Sequence, residues 1–296
     1  MNSVKLYQLK VFLEFHVIPR IMAAQRRLSQ LSHGEEVIKR GGAFGDAYND
    51  TELRADAHLG AFLGEAMLNN LLVGHVTVEG GMDQSNGRKG YWVVIDPLDG
   101  SLNYLRRGKV GGFPYTACVT ILSKKQGATF NDILGACIID LRTGDLWVSS
   151  IQKHGGFETS VNGERAEPHL IEQVDLGKSV IIAEMYYVDN REIVALAFHD
   201  QKGWLRNPGS AAYEMASVSS GQAVAFICRT QKQHEVGAGY ALVKGAGGVA
   251  LDWDGNDLGS QPFTFKTQTP VILATTASLG TEIVGRLRQA LAVYTD

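Results

Sequence analysis

Four acidic residues fall where this chain needs a reason to hold them. Asp96 and Asp99 lie in WVVIDPLDGSLNY (92–104), at the end of a run that is apolar on both faces. Glu79 closes HVTVE (75–79) and is followed at once by Gly80 and Gly81, which allow a sharp turn. Glu235 opens the Ala/Gly-rich segment HEVGAGYALVKGAGG (234–248). A carboxylate taken out of water needs a compensating partner. A hard cation such as Mg²⁺ supplies one, because it takes carboxylate oxygens and keeps waters for chemistry. The Gly100 and Ser101 amides just past Asp99 could then hold a phosphate.

Each feature also has a plainer reading. Asp, Pro and Gly are turn residues, and aspartates cap their own backbone. An acid in a first helical turn is favoured by the helix dipole. What tips the balance is that two strand ends, rather than one, deliver acids. His58, His75 and His234 read as packing or surface groups, since Mg²⁺ prefers oxygen. Arg106 and Arg107 follow the first motif and either meet a substrate anion or are solvated.

The elements that must carry these residues are legible in outline. An amphipathic helix fills most of the first 30 positions, and GGAFGDAYND (41–50) reads as a loop. From Asp56, the positions Leu59, Phe62, Leu63, Ala66, Met67 and Leu71 follow helical spacing. Five strand-like runs follow, at 75–79, 91–96, 116–122, 133–140 and 145–150. Their short connections predict an antiparallel layer packed on the two helices. NGER (162–165) is a turn signal. Beyond it, strands at 179–184, 223–228, 249–253 and 271–276 alternate with helices near 191–199, 210–220, from Glu235 and from Leu279, as in an α/β unit. The expected division is an N-terminal α+β domain over 1–170, holding the acids, and a C-terminal α/β domain over 171–296.

Composition narrows the function classes. The chain has 296 residues, 45% of them hydrophobic and 20% charged, enough for a sizeable core. A formal net charge of -3, with no long Lys/Arg run, argues against nucleic acid as a partner. Three widely spaced cysteines, Cys118, Cys137 and Cys228, suit neither a disulfide framework nor a zinc knuckle, and fit a reducing cytoplasm. No signal-peptide pattern and no 18-residue apolar stretch is present, so the expectation is a soluble cytoplasmic protein with no membrane partner.

Trp92, Asp96, Pro97, Leu98, Asp99, Gly100, Ser101, Asn103 and Tyr104 together resemble the first signature of the inositol monophosphatase superfamily of metal-dependent, lithium-sensitive phosphatases. His234 to Gly239, with Ala246, Gly247 and Gly248, meet its second signature in part, and GSAAYEMASVSSG (209–221) looks like its Gly-Ser/Thr-Ala-Ala helix. The resemblance covers nearly the whole chain. It implies a layered α-β-α-β-α sandwich, usually a homodimer, that hydrolyses a small phosphate ester with two or three Mg²⁺ per site. It implies metal ligation by Glu79, Asp96, the Leu98 carbonyl, Asp99 and Glu235. Asp56 with Ser101 would orient and help deprotonate the attacking water. Gly100 and Ser101 would bind phosphate, with Ser210, Ala211, Cys228 and Arg229 as further substrate positions.

The departures are specific. Gly80 stands where the family usually has a second Glu, and Glu235 where it usually has Asp. The latter matches the fructose-1,6-bisphosphatases. The segment Asp50 to Asp56 follows the family loop only loosely. In inositol-specific relatives an acid seven residues before the second-signature ligand binds ring hydroxyls. Here that position is Cys228, which predicts poor use of inositol-1-phosphate, and Arg229 beside it would favour a second anionic group. Fructose-1,6-bisphosphate and phosphoadenosine phosphate are alternative substrates, and a catalytically impaired binding protein is the other alternative. An aspartyl-phosphate mechanism is set aside, because it needs two aspartates two positions apart rather than three.

Overall fold

The computed structural model describes residues 3–31, 37–39, 52–107, 112–166, 176–185, 188–200, 204–265 and 267–295. The chain opens with α1 (Ser3–Phe12), a π-helical turn (Leu13–Val17) and α2 (Ile18–Gln30), which begins with Pro19 in its first turn. One buried stripe, Leu9, Phe12, Leu13, Val17, Ile21, Ala24 and Leu28, runs through all three segments. The single amphipathic helix expected over this stretch is therefore interrupted, but its apolar face is continuous. A short antiparallel ribbon, β1 (Val37–Lys39) with β2 (Glu52–Leu53), precedes α3 (Arg54–Leu68). The loop expected at 41–50 and the domain boundary expected near 170 lie outside the described residues.

A large sheet follows: β3 (Val73–Val78), β4 (Asp83–Ser85), β5 (Tyr91–Asp99), then α4 (Ser101–Leu105), β6 (Thr116–Leu122), β7 (Ile133–Asp140), β8 (Leu146–Ile151), β9 (Phe157–Val161) and β10 (Glu164–Arg165). Its order is β10-β9-β8-β7-β6-β5-β3-β4. The expected all-antiparallel layer is corrected at one place: β3 and β5 are parallel. The edge strand β4 turns back along the outside of β3, so the chain re-enters on β3's other side in β3's own direction. This matters for the site, because parallel strands bring their C-terminal ends to the same edge. The turn expected at 162–165 narrows to Asn162 and Gly163, the tip of the β9–β10 hairpin, both left-handed at φ 52° and 85°.

The second sheet contains β11 (Val180–Ala183), then α5 (Val188–Ala197), β12 (Trp204–Arg206), α6 (Ala211–Ser219), β13 (Ala225–Lys232), α7 (Gln233–Gly245), β14 (Val249–Leu251), β15 (Gln268–Ala274) and α8 (Ala277–Thr295). Its order is β12-β11-β13-β15-β14, with β15 antiparallel to both neighbours and the pairs at β11 parallel.

The alternation of side chains along each strand divides the core into layers. Val93, Ile95, Val119 and Ile121 pack with the helices α1–α3. Trp92, Val94, Cys118 and Ile138 face the opposite way, onto α6 and α7, which in turn meet Phe226, Cys228, Val271 and Leu273 of the second sheet. Ile181, Ile227 and Ile272 close against α5 and α8. The result is the layered α-β-α-β-α arrangement. Both sheets are covered on both faces, which is why their central strands read as unbroken apolar runs. No helix among the described residues is long and apolar enough to cross a membrane.

Candidate active site

The parallel pairing sets Val78 beside Ile95, and the Glu79 amide donates to the Ile95 carbonyl at 2.9 Å. Glu79 and Asp96 therefore emerge together at one edge. Gly80 holds φ 71° in the turn that follows, where the Gly81 amide bonds back to Val78 at 3.2 Å. A second glutamate at position 80 would be forced into the left-handed region, so its absence fits this turn.

Asp96 and Asp99 are three positions apart and would face opposite sides of an unbroken strand. A β-bulge at Pro97–Leu98 changes this. Asp96 pairs with Cys118 and Asp99 with Thr116, two positions apart on β6, so one residue of β5 is absorbed and both aspartates point the same way. The Leu98 amide then donates to Asp96 Oδ1 at 3.0 Å. Gly100 turns the chain in a left-handed conformation, φ 83°, and a Cβ there would stand 3.0 Å from Ser210 Cβ and 3.1 Å from the Pro114 carbonyl.

Asp99 is fixed from the middle layer. Its Oδ2 accepts from Ser210 Oγ at 2.6 Å, the Ala212 amide at 2.8 Å and Thr116 Oγ1 at 3.2 Å. Asp56 lies in the first turn of α3. Its Oδ2 accepts from the Leu53 amide at 2.6 Å, and its Oδ1 stands 3.3 Å from Ser101 Oγ. The same hydroxyl lies 3.0 Å from the Leu98 carbonyl. One hydroxyl proton thus faces two acceptors.

Glu235 enters from the first turn of α7 and accepts a bond from Gln231. Two basic groups come with it. Lys232 Nζ is 2.7 Å from Glu79 Oε1. His234 Nε2 is 3.3 Å from Glu79 Oε2, 3.8 Å from Glu235 Oε1 and 4.0 Å from Asp96 Oδ2. One ligand atom from each of Glu79, Asp96, His234 and Glu235 falls within 4.8 Å of the others. Asp96 Oδ2 is buried and has no hydrogen-bond donor.

The electrostatics follow from this crowding. Burial, then the charges of Glu79, Asp99 and Glu235, push Asp96 well above the usual carboxylate range. Burial, with Asp99 adding to it, pushes Glu235 up to about 8. Burial also raises Asp99, against the bonds from Ser210 and Ala212. At Glu79 burial acts the same way, but Lys232 and His234 outweigh it and hold the group well below its ordinary value. A cluster of acids that resists full ionisation suits a centre completed by a cation.

The family resemblance implies one site containing Glu79, Asp96, Leu98, Asp99, Gly100, Ser101, Asp56 and Glu235, and the fold brings these residues together. The readings of His234, Cys228, Ser210 and Ala211 are corrected. His234 is not a surface group: it packs, 1% exposed, with its ring stacked on Phe265, and its Nε2 also lies inside the acid cluster, which packing alone does not describe. Cys228 is fully buried in the apolar core, with no surface for a substrate, because β13 is a central strand. Ser210 is 1% exposed and engaged with Asp99, so it orients an acid, and Ala211 is buried beside it. Arg107 stacks on the Tyr104 ring at 3.7 Å. Arg229 is half-buried, 5.9 Å from the Trp253 ring. His75 and His58 are as expected: the first pairs with Asp83 at 2.6 Å and the second is exposed. Lys232 was missed. Its signal is a lysine at the start of a helix, where the dipole disfavours a cation.

Comparison with known proteins identifies the family and the fold. The family model described as "Inositol monophosphatase family" matches residues 24–292. The inositol monophosphatase of Dictyostelium discoideum is 26% identical over 217 residues, 71% of this chain and 73% of that protein. The Nus factor SuhB of Xylella fastidiosa is 32% identical over 180 residues, 60% of each chain. Among solved structures, the IMPase of Thermotoga maritima superposes with a TM-score of 0.73 at 18% identity, covering 93% of this chain and 96% of that one, a likeness of fold. Residues 24–292 thus span both sheets and every acid of the site, and the chain belongs to the inositol monophosphatase family.

Proposed function

We propose that this protein is a Mg²⁺-dependent phosphomonoesterase acting on a small phosphorylated metabolite. The observation that carries the reading is Asp96 Oδ2, buried without a donor among Glu79, Glu235 and His234. An oxygen left in that state has a ready explanation in a cation that binds there. Asp96, Asp99, Glu235 and the Leu98 carbonyl would hold Mg²⁺, with Glu79 beside them. The bound ion supplies charge neutralisation for a phosphate dianion and acidifies water.

The chain's own groups do the rest. The Gly100 and Ser101 amides, beyond the left-handed turn, would hold phosphate oxygens. Ser101 Oγ, shared between the Leu98 carbonyl and Asp56 Oδ1, keeps lone pairs to accept a water's hydrogen bond. Asp56, anchored through its other oxygen on the Leu53 amide, would take up the developing positive charge. Asn103 Nδ2 ties the motif to the Pro114 and Pro208 carbonyls at 2.7 and 2.8 Å, which fixes the turn against the segment before α6. The substrate is read as a sugar, polyol or nucleotide phosphate. A cytoplasmic homodimer remains part of the proposal.

A second reading is a binding protein of reduced activity. The Lys232–Glu79 pair favours it, since one acid of the cluster already has a cation. Inorganic phosphate release from inositol-1-phosphate, fructose-1,6-bisphosphate and phosphoadenosine phosphate, with and without Mg²⁺, separates the two. Turnover that needs Mg²⁺ and disappears in Asp99→Asn supports the enzyme. Absence of turnover on a broad metabolite panel supports the binding protein.

A further inference from the structure

Lys232 breaks several rules at once. Its side chain is 11% exposed, although lysine is rarely buried unless it is paired. It is the last residue of β13 and the residue directly before α7, so a strand passes into a helix with no loop between them. A cation at a helix N-terminus is opposed by the dipole, and side chains that cap a helix there are normally small acceptors. A local rule broken in this way points to a gain elsewhere.

The gain is on view across the cleft. Nζ meets Glu79 Oε1 at 2.7 Å over 153 positions of sequence. A bulge in β13 sets up the approach. Cys228 pairs with Val271 but Gln231 pairs with Thr269, so one residue is absorbed before the strand ends. The end of the strand is thereby re-aimed, with Gln231 reaching Glu235 and Lys232 reaching Glu79. Across from it, Gly80 leaves the Glu79 turn with one carboxylate. The acid cluster therefore has a tethered positive charge on one side and the donor-free Asp96 Oδ2 on the other.

We infer that Lys232 serves as a built-in cation that takes the place of one divalent ion at Glu79. The cluster then binds one divalent ion fewer than it would with a neutral residue at position 232. The inference rests on the metal-dependent reading of the site. An ammonium and a divalent cation cannot both sit against the same carboxylate oxygen without repulsion. Ions held by Asp96, Asp99 and Glu235 are compatible with the pair.

The test counts ions rather than turnover. Mn²⁺ bound per chain is measured by equilibrium dialysis for the wild type, Lys232→Met and Lys232→Arg. The expected result is one additional Mn²⁺ in Lys232→Met and the wild-type number in Lys232→Arg. Equal numbers and affinities in the wild type and Lys232→Met overturn the inference. A wild type that binds no Mn²⁺ overturns the metal-dependent function instead, while the difference between the wild type and Lys232→Met still decides the role of Lys232. A second measurement needs no variant. Wild-type protein is acetylated with acetic anhydride and the modified lysines are read by mass spectrometry, with the exposed Lys124 as reference. Lys232 is expected to stay protected at saturating Mg²⁺. Labelling of Lys232 that rises severalfold on adding Mg²⁺ means that the ion displaces it, and overturns the inference.

Discussion

Ser210 Oγ lies 2.6 Å from Asp99 Oδ2, joining the residue before α6 to the end of β5 across 111 positions. Hydrogen bonds to an ionised partner contribute about 1.5–3 kcal/mol. Ser210→Ala leaves Asp99 with Thr116 and the Ala212 amide, so it should destabilise the fold by the lower part of that range. Thermal melting checks this. The Mg²⁺ concentration for half-maximal stabilisation should rise in parallel, because Asp99 loses its orientation. A variant with unchanged melting and unchanged Mg²⁺ response would show that the bond is idle.

Gly100 is held at φ 83° with Ser210 Cβ, Pro114 O and Gly209 O crowded around the position of a Cβ. Gly100→Ala adds backbone strain of about 1–3 kcal/mol. The expected outcome is a lower denaturation midpoint and a large loss of phosphate release, since the turn also places the Ser101 amide. Retention of both would mean that the turn tolerates a side chain and adapts.

Asp96 is opposed by burial and by Glu79, Asp99 and Glu235. Asp96→Asn keeps the shape and removes the charge. Metal-free protein should therefore melt higher than the wild type, while the rise in melting temperature on adding Mg²⁺ should vanish. The two effects have opposite signs, which separates them from a general loss of packing. A lower metal-free melting temperature would contradict the repulsion argument.

The pH dependence has a definite sign. Glu235 goes from an ordinary 4.5 when unfolded to about 8 when folded, so the native state holds its proton more tightly. Stability of chelator-treated protein should fall as pH rises from 4.5 through about 8. His234 acts in the same direction. Its folded value is raised chiefly by Glu79 against burial, so its contribution is full below 6.5 and is lost as pH rises through the folded value. Glu79 has a lowered value, and its contribution is lost only on acidification. Urea denaturation midpoints with EDTA across this range test the slope, and Mg²⁺ should flatten it. A midpoint that climbs steadily toward pH 8 would refute the assignment.

The apolar runs and the helical spacing after Asp56 make most elements legible in the sequence, the strand-end acids and the DPLDGS turn make most of the acid cluster so, and the layered arrangement follows from the family resemblance. What escaped was direction and local offset. Parallel pairing of β3 with β5 depends on the three-residue edge strand Asp83–Ser85, too short and too polar to read as a strand. The bulge that aligns Asp96 with Asp99 did leave a signal, since proline inside a strand marks an edge or a bulge. Mg²⁺ prefers oxygen, which argues against an imidazole as its ligand, but an imidazole can also balance charge among acids, as His234 does here. The spacing of Cys228 from Glu235 along the chain does not fix its place in space. The β13 bulge lies between the two, and the strand buries the thiol.

The parting of opposite charges along the sequence also governs how the molecule must come together. Asp56, Glu79, Asp96 and Asp99 precede residue 100, whereas Ser210, Lys232 and His234, which restrain or balance them, follow residue 200 together with the remaining acid, Glu235. A nascent chain that has emerged only through β10 already carries the mutually repelling acids and none of these partners. Closing loops of such length is slow compared with forming local helices. Until α6 and α7 pack, the acids at the end of β5 lack Ser210, Lys232 and His234, so the site is complete only once the two sheets have closed over the middle helices.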